Sequence, residues 1–173
     1  MKRFLVTSAA ALAACMSVSL PAAIGRAGSE AQPVFGIKIY PGYRDWKLIS
    51  IAHEAGELDD LRAILGNDIA VEAFRQGKQQ LPDGAVIVRL AWAYTPSQEN
   101  NRVFGKNQSF IAGPPKEGVQ FMVKDSTQYA ATGGWGFAQF NDGEPIDAAA
   151  IDKCFPCHEP AKGTDFVFTR YAP

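Results

Sequence analysis

The residues Cys154-Phe155-Pro156-Cys157-His158 form the most specific pattern in this sequence of 173 residues. Two cysteines separated by two residues and followed directly by a histidine make the C-x-x-C-H pattern of c-type haem attachment. In that chemistry both thiols add to the haem vinyl groups as thioethers, and the histidine becomes an axial ligand of the iron. The pattern predicts one covalent haem c on Cys154 and Cys157, with His158 as the proximal ligand.

Other uses of a cysteine pair fit this sequence less well. A disulfide between Cys154 and Cys157 is the simplest alternative for an exported protein, but so short a ring restrains little chain entropy. A zinc site would need two further ligands, and the sequence offers His53 as its one other histidine. A thioredoxin-like pair follows a first strand, whereas this pair lies close to the C-terminus.

The remaining iron ligands are scarce. Beyond residue 28 the sequence has one methionine, Met122, and one histidine besides His158, which is His53. The local patterns place Met122 as a packing residue in a strand and His53 at the end of another strand. We therefore expect an iron with one face vacant for a small molecule, which favours ligand binding or catalysis. A periplasmic electron-transfer cytochrome without catalytic activity of its own is the alternative.

The N-terminal residues read as an export signal. Residues 1–28 begin with Lys2 and Arg3, continue through an apolar run and end in small residues, as secretory signal peptides do. We expect this segment to be removed, leaving residues 29–173 as one haem domain in the periplasm. Residues 12–15 also resemble a bacterial lipobox, so lipid anchoring at Cys15 is the alternative.

Composition and charge limit the partners of the mature chain. The sequence is 47% hydrophobic and 20% charged, which is typical of a folded soluble domain. Without Lys2, Arg3 and Arg26, 14 basic residues stand against 18 acidic ones, a net charge of −4. Nucleic acid is therefore not an expected partner, because binding to phosphates depends on clustered basic residues.

Hydrophobic alternation predicts a domain made mainly of strands. Strands are predicted at residues 46–53, 61–65, 85–94, 119–124, 135–140 and 166–169, with residues 58–65 also compatible with a helix. In the strand at 85–94, Val86, Val88, Leu90 and Trp92 form a core face. The opposite face places the single charge of Arg89 among small residues.

Short helices and loops fill the remaining segments. Asn67 or Asp68 is expected to cap a helix that turns Ile69, Ala70, Ala73 and Phe74 inward and ends at Gly77. Asp147 opens a helix over residues 148–153 that leads into the haem motif, Asp125 begins a helical turn, and residues 96–117 read as a long loop. The fold class is α+β, a mainly antiparallel sheet with a few short helices packed around the haem.

Several short motifs together resemble the cytochrome P-460 family, which includes the cytochromes c′-beta. They are Tyr43-Arg44-Asp45-Trp46, Pro82-Asp83-Gly84, Val123-Lys124-Asp125-Ser126, Gly134-Trp135-Gly136-Phe137, the C-x-x-C-H pattern and Phe166-Val167-Phe168-Thr169-Arg170-Tyr171. The resemblance implies an antiparallel sheet packed on a haem c, with an open distal side. It also implies oxidation of hydroxylamine or binding of nitric oxide.

Two positions depart from the hydroxylamine-oxidising members of that family. Their lysine that bonds to the haem falls at Arg89, whose protonated guanidinium is a poor nucleophile, so we expect no such cross-link. Their distal glutamate falls at Gln120, whose amide cannot accept a proton. A different placement of gaps brings Lys78, Glu117 or Lys124 to these positions instead.

These residues define a candidate distal pocket of Arg89 and Gln120. Arg89 either pairs with a haem propionate or a surface carboxylate, or faces the bound ligand as a fixed positive charge. The expected ligands are NO, hydroxylamine or peroxide, and any enzymatic activity would be that of a haem-dependent oxidoreductase. A redox partner such as a soluble cytochrome c is also expected, and the family resemblance implies a homodimer.

Overall fold

The computed structural model describes residues 36–172, so the predicted signal peptide at residues 1–28 and the candidate lipidation site Cys15 lie outside the described residues. Its centre is a six-stranded sheet in which spatial order follows chain order and every neighbouring pair is antiparallel. The strands are β1 (Lys47–Glu54), β2 (Asp60–Gly66), β3 (Val86–Pro96), β4 (Phe110–Lys124), β5 (Trp135–Asn141) and β6 (Glu144–Pro145).

Within the described part of the chain, four short α-helices accompany the sheet. They are α1 (Asp68–Arg75), α2 (Gln98–Phe104), α3 (Ala148–Ile151) and α4 (Cys154–His158), and 3₁₀ turns occur at Tyr43–Asp45, Ala130–Thr132 and Glu159–Thr164. Within residues 36–172 no helix is long and apolar enough to cross a membrane. The predicted α+β class, mainly an antiparallel sheet with a few short helices, is confirmed.

The sheet separates two environments because side chains alternate between its faces. Val88 on β3 and Phe121 on β4 are paired and almost fully buried on one face. The chain before β1 covers this face, with the rings of Tyr40 and Tyr43 centred 5.6 and 5.4 Å from that of Phe121. The opposite face, which carries Arg89, borders a cavity and is called the cavity face below.

The helix between β2 and β3 begins where the sequence predicts. Asn67 is its N-cap, and the Asn67 side chain accepts a hydrogen bond from the Ala70 N–H at 3.0 Å. The prediction that Ile69 turns inward is wrong, since Ile69 is 45% exposed and Val71 is buried in its place. The helical alternative for residues 58–65 is also wrong, because these residues include β2.

The predicted loop at residues 96–117 is instead a helix and half a strand. Ser97 caps α2, and β4 begins at Phe110, far earlier than the predicted residue 119. The first half of β4 pairs with the end of β3, from Trp92 opposite Pro115 to Pro96 opposite Phe110. This half of β4 is mostly exposed and contains two prolines, so it lacks the alternation that reveals a half-buried strand.

The C-terminal segment also departs from the prediction. Residues 166–169 do not add a strand, because Asp165 and Phe166 both adopt the left-handed conformation and turn the chain away from a ladder. The predicted helix at 148–153 is shorter, and a separate helix, α4, carries the haem motif. Asp147 caps α3 as predicted, with its side chain accepting from the Ala149 N–H at 2.7 Å. The segment after α4 then passes over the cavity face.

Candidate functional site

A cavity of about 470 Å³ lies between the cavity face of the sheet and the C-terminal segment. Its volume is within the range of roughly 300–1,000 Å³ that is usual for small-molecule and cofactor sites. From the sheet it is lined by side chains that include Ile64, Ile87, Arg89, Gln120, Met122, Phe137 and Gln139. From the C-terminal segment it is lined by Ala150, Lys153, Cys154, Cys157, His158, Val167, Phe168 and Thr169.

Strand register brings the sheet residues into rows across the cavity face. Ile64, Arg89, Gln120 and Gln139 are successive cross-strand partners on β2, β3, β4 and β5. A second row places Met122 between Ile87 and Phe137. The register therefore brings together Arg89 and Gln120, the two distal residues that the sequence predicts. The apolar second row lies directly beside them.

The C-x-x-C-H motif lies on the opposite wall. Cys154, Cys157 and His158 belong to one turn of helix, α4, and all three line the cavity. Cys157 is exposed, whereas Cys154 is half-buried, and burial raises the pKa of the Cys154 thiol. Both cysteines therefore border the same cavity as the side chains of the sheet.

His158 is oriented by its backbone neighbour. Its Nδ1–H donates a hydrogen bond to the carbonyl oxygen of Phe166 at 2.8 Å, and the rings of Phe137 and Phe168 lie 5.0 Å from the imidazole. Burial lowers the pKa of His158, and the bond to Phe166 opposes that effect only in part. The ring is therefore held neutral with Nε2 free as an acceptor, the arrangement found in metal-binding histidines.

Arg89 is held by three acceptors of its own chain. Its Nη2 donates to the Asp60 carboxylate at 2.6 Å, and its Nη1 donates both to Glu117 and to the Gln120 side-chain oxygen at 3.0 Å. Arg62 binds the same Asp60 through two hydrogen bonds of 2.8 and 2.9 Å. We call Asp60, Arg62, Arg89, Glu117 and Gln120 the arginine network.

Asp60 is the buried centre of the arginine network. Its side chain is 1% exposed, while those of Arg62 and Arg89 are 17% and 14% exposed. Burial alone would raise the pKa of Asp60, but the hydrogen bonds and charges of Arg62 and Arg89 outweigh that effect and lower the pKa. Asp60 is therefore ionised in the folded protein and compensates much of the positive charge of the two arginines.

A β-bulge directs Glu117 toward the arginine network. The β3–β4 register shifts between Leu90, which pairs with Val119, and Ala91, which pairs with Lys116, so two residues of β4 are left over. These are Glu117 and Gly118, and both have positive φ, 56° and 59°. Bulges of this kind re-aim side chains beside functional sites. Here the bulge brings the Glu117 carboxylate to Arg89.

The alternative iron ligands and distal residues considered from the sequence are dispersed over the structure. Met122 lines the cavity, but His53 does not: its ring stacks on that of Tyr94, 3.9 Å between centroids, and its Nε2 lies 3.1 Å from Asp59. Lys78 is exposed on the turn after α1. Lys124 is buried away from the cavity lining, paired with Asp165 at 2.7 Å.

Two members of the arginine network were not predicted from the sequence. Asp60 and Arg62 are two residues apart on β2, so they share the cavity face. Opposite charges at alternate positions of an otherwise apolar strand are the signal that could have revealed them. Glu117 was predicted as a distal residue only under an alternative placement of gaps, because nothing in the residue pattern indicates the bulge.

Comparison with known proteins bears on the chain as a whole. A sequence model of the cytochrome P460 family matches residues 40–169, which include all six strands and the C-x-x-C-H motif. The chain belongs to the cytochrome P460 family. It is therefore a haem-binding protein, and the resemblance seen in its short motifs is confirmed. No curated protein matches the chain.

The residues of this cytochrome P460 family member fit a haem. The donor set consists of two thiols and a neutral imidazole on one wall, next to a cavity whose lining is largely apolar. Cys154 and Cys157 would hold the group and His158 would bind its iron. The arginine network lies across the cavity from this motif, on the cavity face of the sheet.

Proposed function

We propose that this protein carries one covalent haem c and uses a free coordination position of the iron to bind or redox-transform small nitrogen species, NO or hydroxylamine. The observation that carries the proposal is the orientation of the C-x-x-C-H motif toward the cavity, with the Nδ1–H of His158 bound to Phe166 and Nε2 left as a ligand. The bound haem would supply an iron with an exchangeable position and one-electron redox chemistry.

The charge of the cavity wall favours neutral ligands. Arg89 is the cation at the predicted distal position that would otherwise hold an anion, but Asp60 and Glu117 take up its donors. With its charge compensated, Arg89 offers little attraction to nitrite. Uncharged NO and hydroxylamine do not depend on a free cation, so the arginine network supports them over anionic substrates. We therefore propose that Arg89 does not face the ligand as an uncompensated positive charge, which was the alternative expected from the sequence.

The side chains also limit where a substrate proton can go. Gln120 is already engaged, its oxygen accepting from Arg89 and its nitrogen donating to Gln139 at 2.8 Å, and an amide cannot hold a further proton. Asp60 is held ionised between two arginines. Glu117, whose side chain is 41% exposed, is the solvent-accessible carboxylate bound to the same Arg89 nitrogen as Gln120. We assign it as the proton acceptor in any oxidation of hydroxylamine.

Attachment of the haem is tested on the full chain expressed with the cytochrome c maturation machinery. We expect a pyridine haemochrome spectrum of haem c and a protein mass increased by one haem. The double variant Cys154→Ser/Cys157→Ser is the matched control and should carry no covalent haem. A colourless wild-type protein with a Cys154–Cys157 disulfide would instead support a structural cysteine pair.

Function is tested by adding NO to the reduced holoprotein and by assaying hydroxylamine oxidation with a soluble cytochrome c as electron acceptor. We expect NO to bind both to the wild type and to Glu117→Gln. If hydroxylamine is a substrate, Glu117→Gln should lose at least about a hundredfold in turnover, as is typical when a proton-transfer residue is removed. A reduced protein that ignores NO and hydroxylamine but exchanges electrons with cytochrome c would favour the electron-carrier alternative.

Location and assembly are part of the same proposal. The expected export signal would place the protein in the periplasm, where the soluble redox partner would also be found. Fractionation of cells that express the full chain tests this, and labelling with a fatty-acid analogue separates a free protein from one anchored at Cys15. Sedimentation velocity of the holoprotein tests the homodimer that the family resemblance implies.

A further inference from the structure

A buried ion pair lies behind the haem motif, outside the cavity. The Nζ of Lys124, the last residue of β4, is 2.7 Å from Oδ1 of Asp165, and the two side chains are 9% and 3% exposed. Taking two charges out of water is costly, and well-packed apolar residues are often as stabilising as such a pair. A buried pair of this kind adds directional contacts that apolar packing lacks.

Every polar atom of this pair is in use. Besides Asp165, the Lys124 ammonium donates to the Gly133 carbonyl oxygen at 3.2 Å and lies 5.0 Å from the centre of the buried Trp135 ring. The second oxygen of Asp165 accepts the Leu81 N–H at 2.9 Å. Asp165 is thus attached to the end of β4 and to the buried residue Leu81 in the loop before β3.

The segment held in this way has an unfavourable backbone. Asp165 and Phe166 have φ values of 54° and 62°, and two consecutive non-glycine residues in the left-handed region are uncommon. Such a conformation persists only where the surroundings hold it in place. The Asp165 side chain fixes one end of the turn, and the Phe166 ring packs so closely on Gly133 that no β-carbon would fit there.

This turn presents the group that orients the axial histidine. The carbonyl oxygen of Phe166 accepts the Nδ1–H of His158 at 2.8 Å. The position of that oxygen is set by the φ and ψ angles of the turn, and these are set by the contacts of Asp165 and Phe166. A continuous path of contacts therefore leads from Lys124 through Asp165 and Phe166 to His158.

We propose that the buried Lys124–Asp165 pair is a positioning device for the axial ligand, resting on the proposed function of His158: it fixes the Phe166 carbonyl and so sets the orientation and electron donation of the imidazole. A hydrogen bond from Nδ1–H to a well-placed acceptor increases the basicity of the ligating nitrogen. A more basic imidazole binds ferric iron more strongly than ferrous iron, so this contact lowers the reduction potential of the haem.

The test uses two variants of the holoprotein. Asp165→Asn removes the charge, keeps an acceptor for Leu81 and suits the left-handed backbone. The double variant Lys124→Met/Asp165→Asn removes both charges together, so that no uncompensated ammonium remains buried if the single variant fails to fold. Val71→Ala is the matched control, because Val71 is 1% exposed and belongs neither to the cavity lining nor to this pair.

Two properties of the haem report on the histidine. The iron–histidine stretching band of the ferrous protein should move to lower frequency and broaden in both Asp165 variants, and the midpoint potential should rise. Val71→Ala should show neither change, although it also lowers stability. An unchanged band and potential in the folded double variant, or equal shifts in Val71→Ala, would overturn the proposal. Absence of an iron–histidine band in the wild type would instead contradict the proposed function, because a ferrous iron bound by His158 alone shows this band.

Discussion

Arg89 illustrates how a single side chain determines what the cavity wall can do. Its donors bind Asp60, Glu117 and Gln120, three residues from the two neighbouring strands. A lysine in this place would offer one rotatable ammonium and could not satisfy the same acceptors in a fixed fork. Arginine at this position therefore favours a rigid, charge-compensated wall over a chemically reactive one.

The chemistry of Arg89 leads to a prediction about covalent attachment. Since a protonated guanidinium is a poor nucleophile, the haem should be bonded to this chain only through the two cysteine sulfurs. We expect tryptic digestion of the holoprotein, followed by mass spectrometry, to place the haem on the peptide that contains Cys154 and Cys157, and the holoprotein to have an ordinary haem c absorption band. Haem recovered on a second peptide that contains a lysine, or a red-shifted band, would contradict this assignment.

The buried carboxylate of Asp60 predicts a pH dependence of stability. Arg62 and Arg89 lower the pKa of Asp60 below its unfolded value. The stabilising contribution of Asp60 is therefore fully present above about pH 4, the usual range of an aspartate pKa, and is lost as the pH falls through the lowered value. Asp60→Asn should lower the free energy of unfolding at pH 7 by about 3 kcal/mol, because it leaves two arginines less compensated.

Urea unfolding of the wild type and Asp60→Asn between pH 7 and pH 3 measures this effect. The gap between the two curves should narrow as the pH falls below about 4, because protons then bind the carboxylate of the unfolded wild type more readily than that of the folded protein. Asp142→Asn, which changes an exposed aspartate in the turn before β6, should keep the wild-type profile. Parallel curves for the wild type and Asp60→Asn would show that Asp60 does not titrate as the arginine network requires.

At the scale of elements, the cap of α1 shows how one residue joins three segments. The Asn67 side chain accepts from Ala70 N–H at 3.0 Å and from Val86 N–H at 3.1 Å, and it donates to the Gly84 carbonyl at 2.8 Å. It thus fastens the start of α1 to the start of β3. The sequence left Asn67 and Asp68 as alternative caps, and the structure assigns the cap to Asn67.

Removal of this cap should cost stability without affecting the haem. Asn67→Ala should lower the free energy of unfolding by about 2 kcal/mol, since N-cap substitutions cost up to that amount and two further hydrogen bonds are lost. Asp68→Ala, one residue along and exposed, should cost less than about 0.5 kcal/mol. Chemical denaturation measures both, and equal effects of the two variants would argue against this assignment of the cap.

The bulge in β4 is the element that positions Glu117. Gly118 follows it with φ 59°, and a β-carbon there would collide with the backbone of Phe140 on β5. We expect Gly118→Ala to lower the free energy of unfolding by about 3 kcal/mol, the upper range for a strained backbone position. Gly143→Ala, also at positive φ but with free space around it, should cost only about 1 kcal/mol.

Thermal denaturation of the two variants separates two effects. Gly118→Ala combines a steric clash with the cost of a positive φ, whereas Gly143→Ala has only the cost of a positive φ. The first variant should also alter hydroxylamine turnover, if the protein has that activity, because the bulge aims Glu117. Similar melting temperatures for the two variants would indicate that β4 can shift to accommodate a side chain, and the bulge would then not fix Glu117.

Element by element, predictability followed the residue pattern of each strand. β1, β2, β3 and β5 have apolar alternation or β-branched residues, and the sequence located each within a few residues. The first half of β4 is exposed and interrupted by Pro114 and Pro115, so its strand character comes from pairing with β3 rather than from its own pattern. Residues 166–169 have a strand-like composition, but the left-handed turn at Asp165 and Phe166 overrides it.

At the scale of the whole molecule, the site consists of two walls with different origins. The C-x-x-C-H wall is built from one continuous segment of sequence, and the motif marks three of its residues. The opposite wall combines Asp60 from β2, Arg89 from β3, and Glu117 and Gln120 from β4. Contacts across strands depend on register and on a bulge, so residue patterns gave the candidates Arg89 and Gln120 but neither their partners nor the compensation of charge.

The two walls together support the proposed haem, with its iron bound by His158 and free on its other face. Met122 also lines the cavity, and its thioether could occupy the sixth position of the iron, because methionine is a known axial ligand of haem c. Its place in the row between Ile87 and Phe137 favours a packing role. A strong ligand from Met122 would leave no position for NO or hydroxylamine.

Titration of the dithionite-reduced holoprotein with carbon monoxide tests this claim most directly, with Met122→Leu as the matched variant. We expect the wild type to bind one carbon monoxide per haem, with a shifted Soret band and an affinity that Met122→Leu does not change. A wild-type spectrum that stays the same at saturating carbon monoxide, together with binding by Met122→Leu, would show that the sixth position is already occupied and would contradict the account.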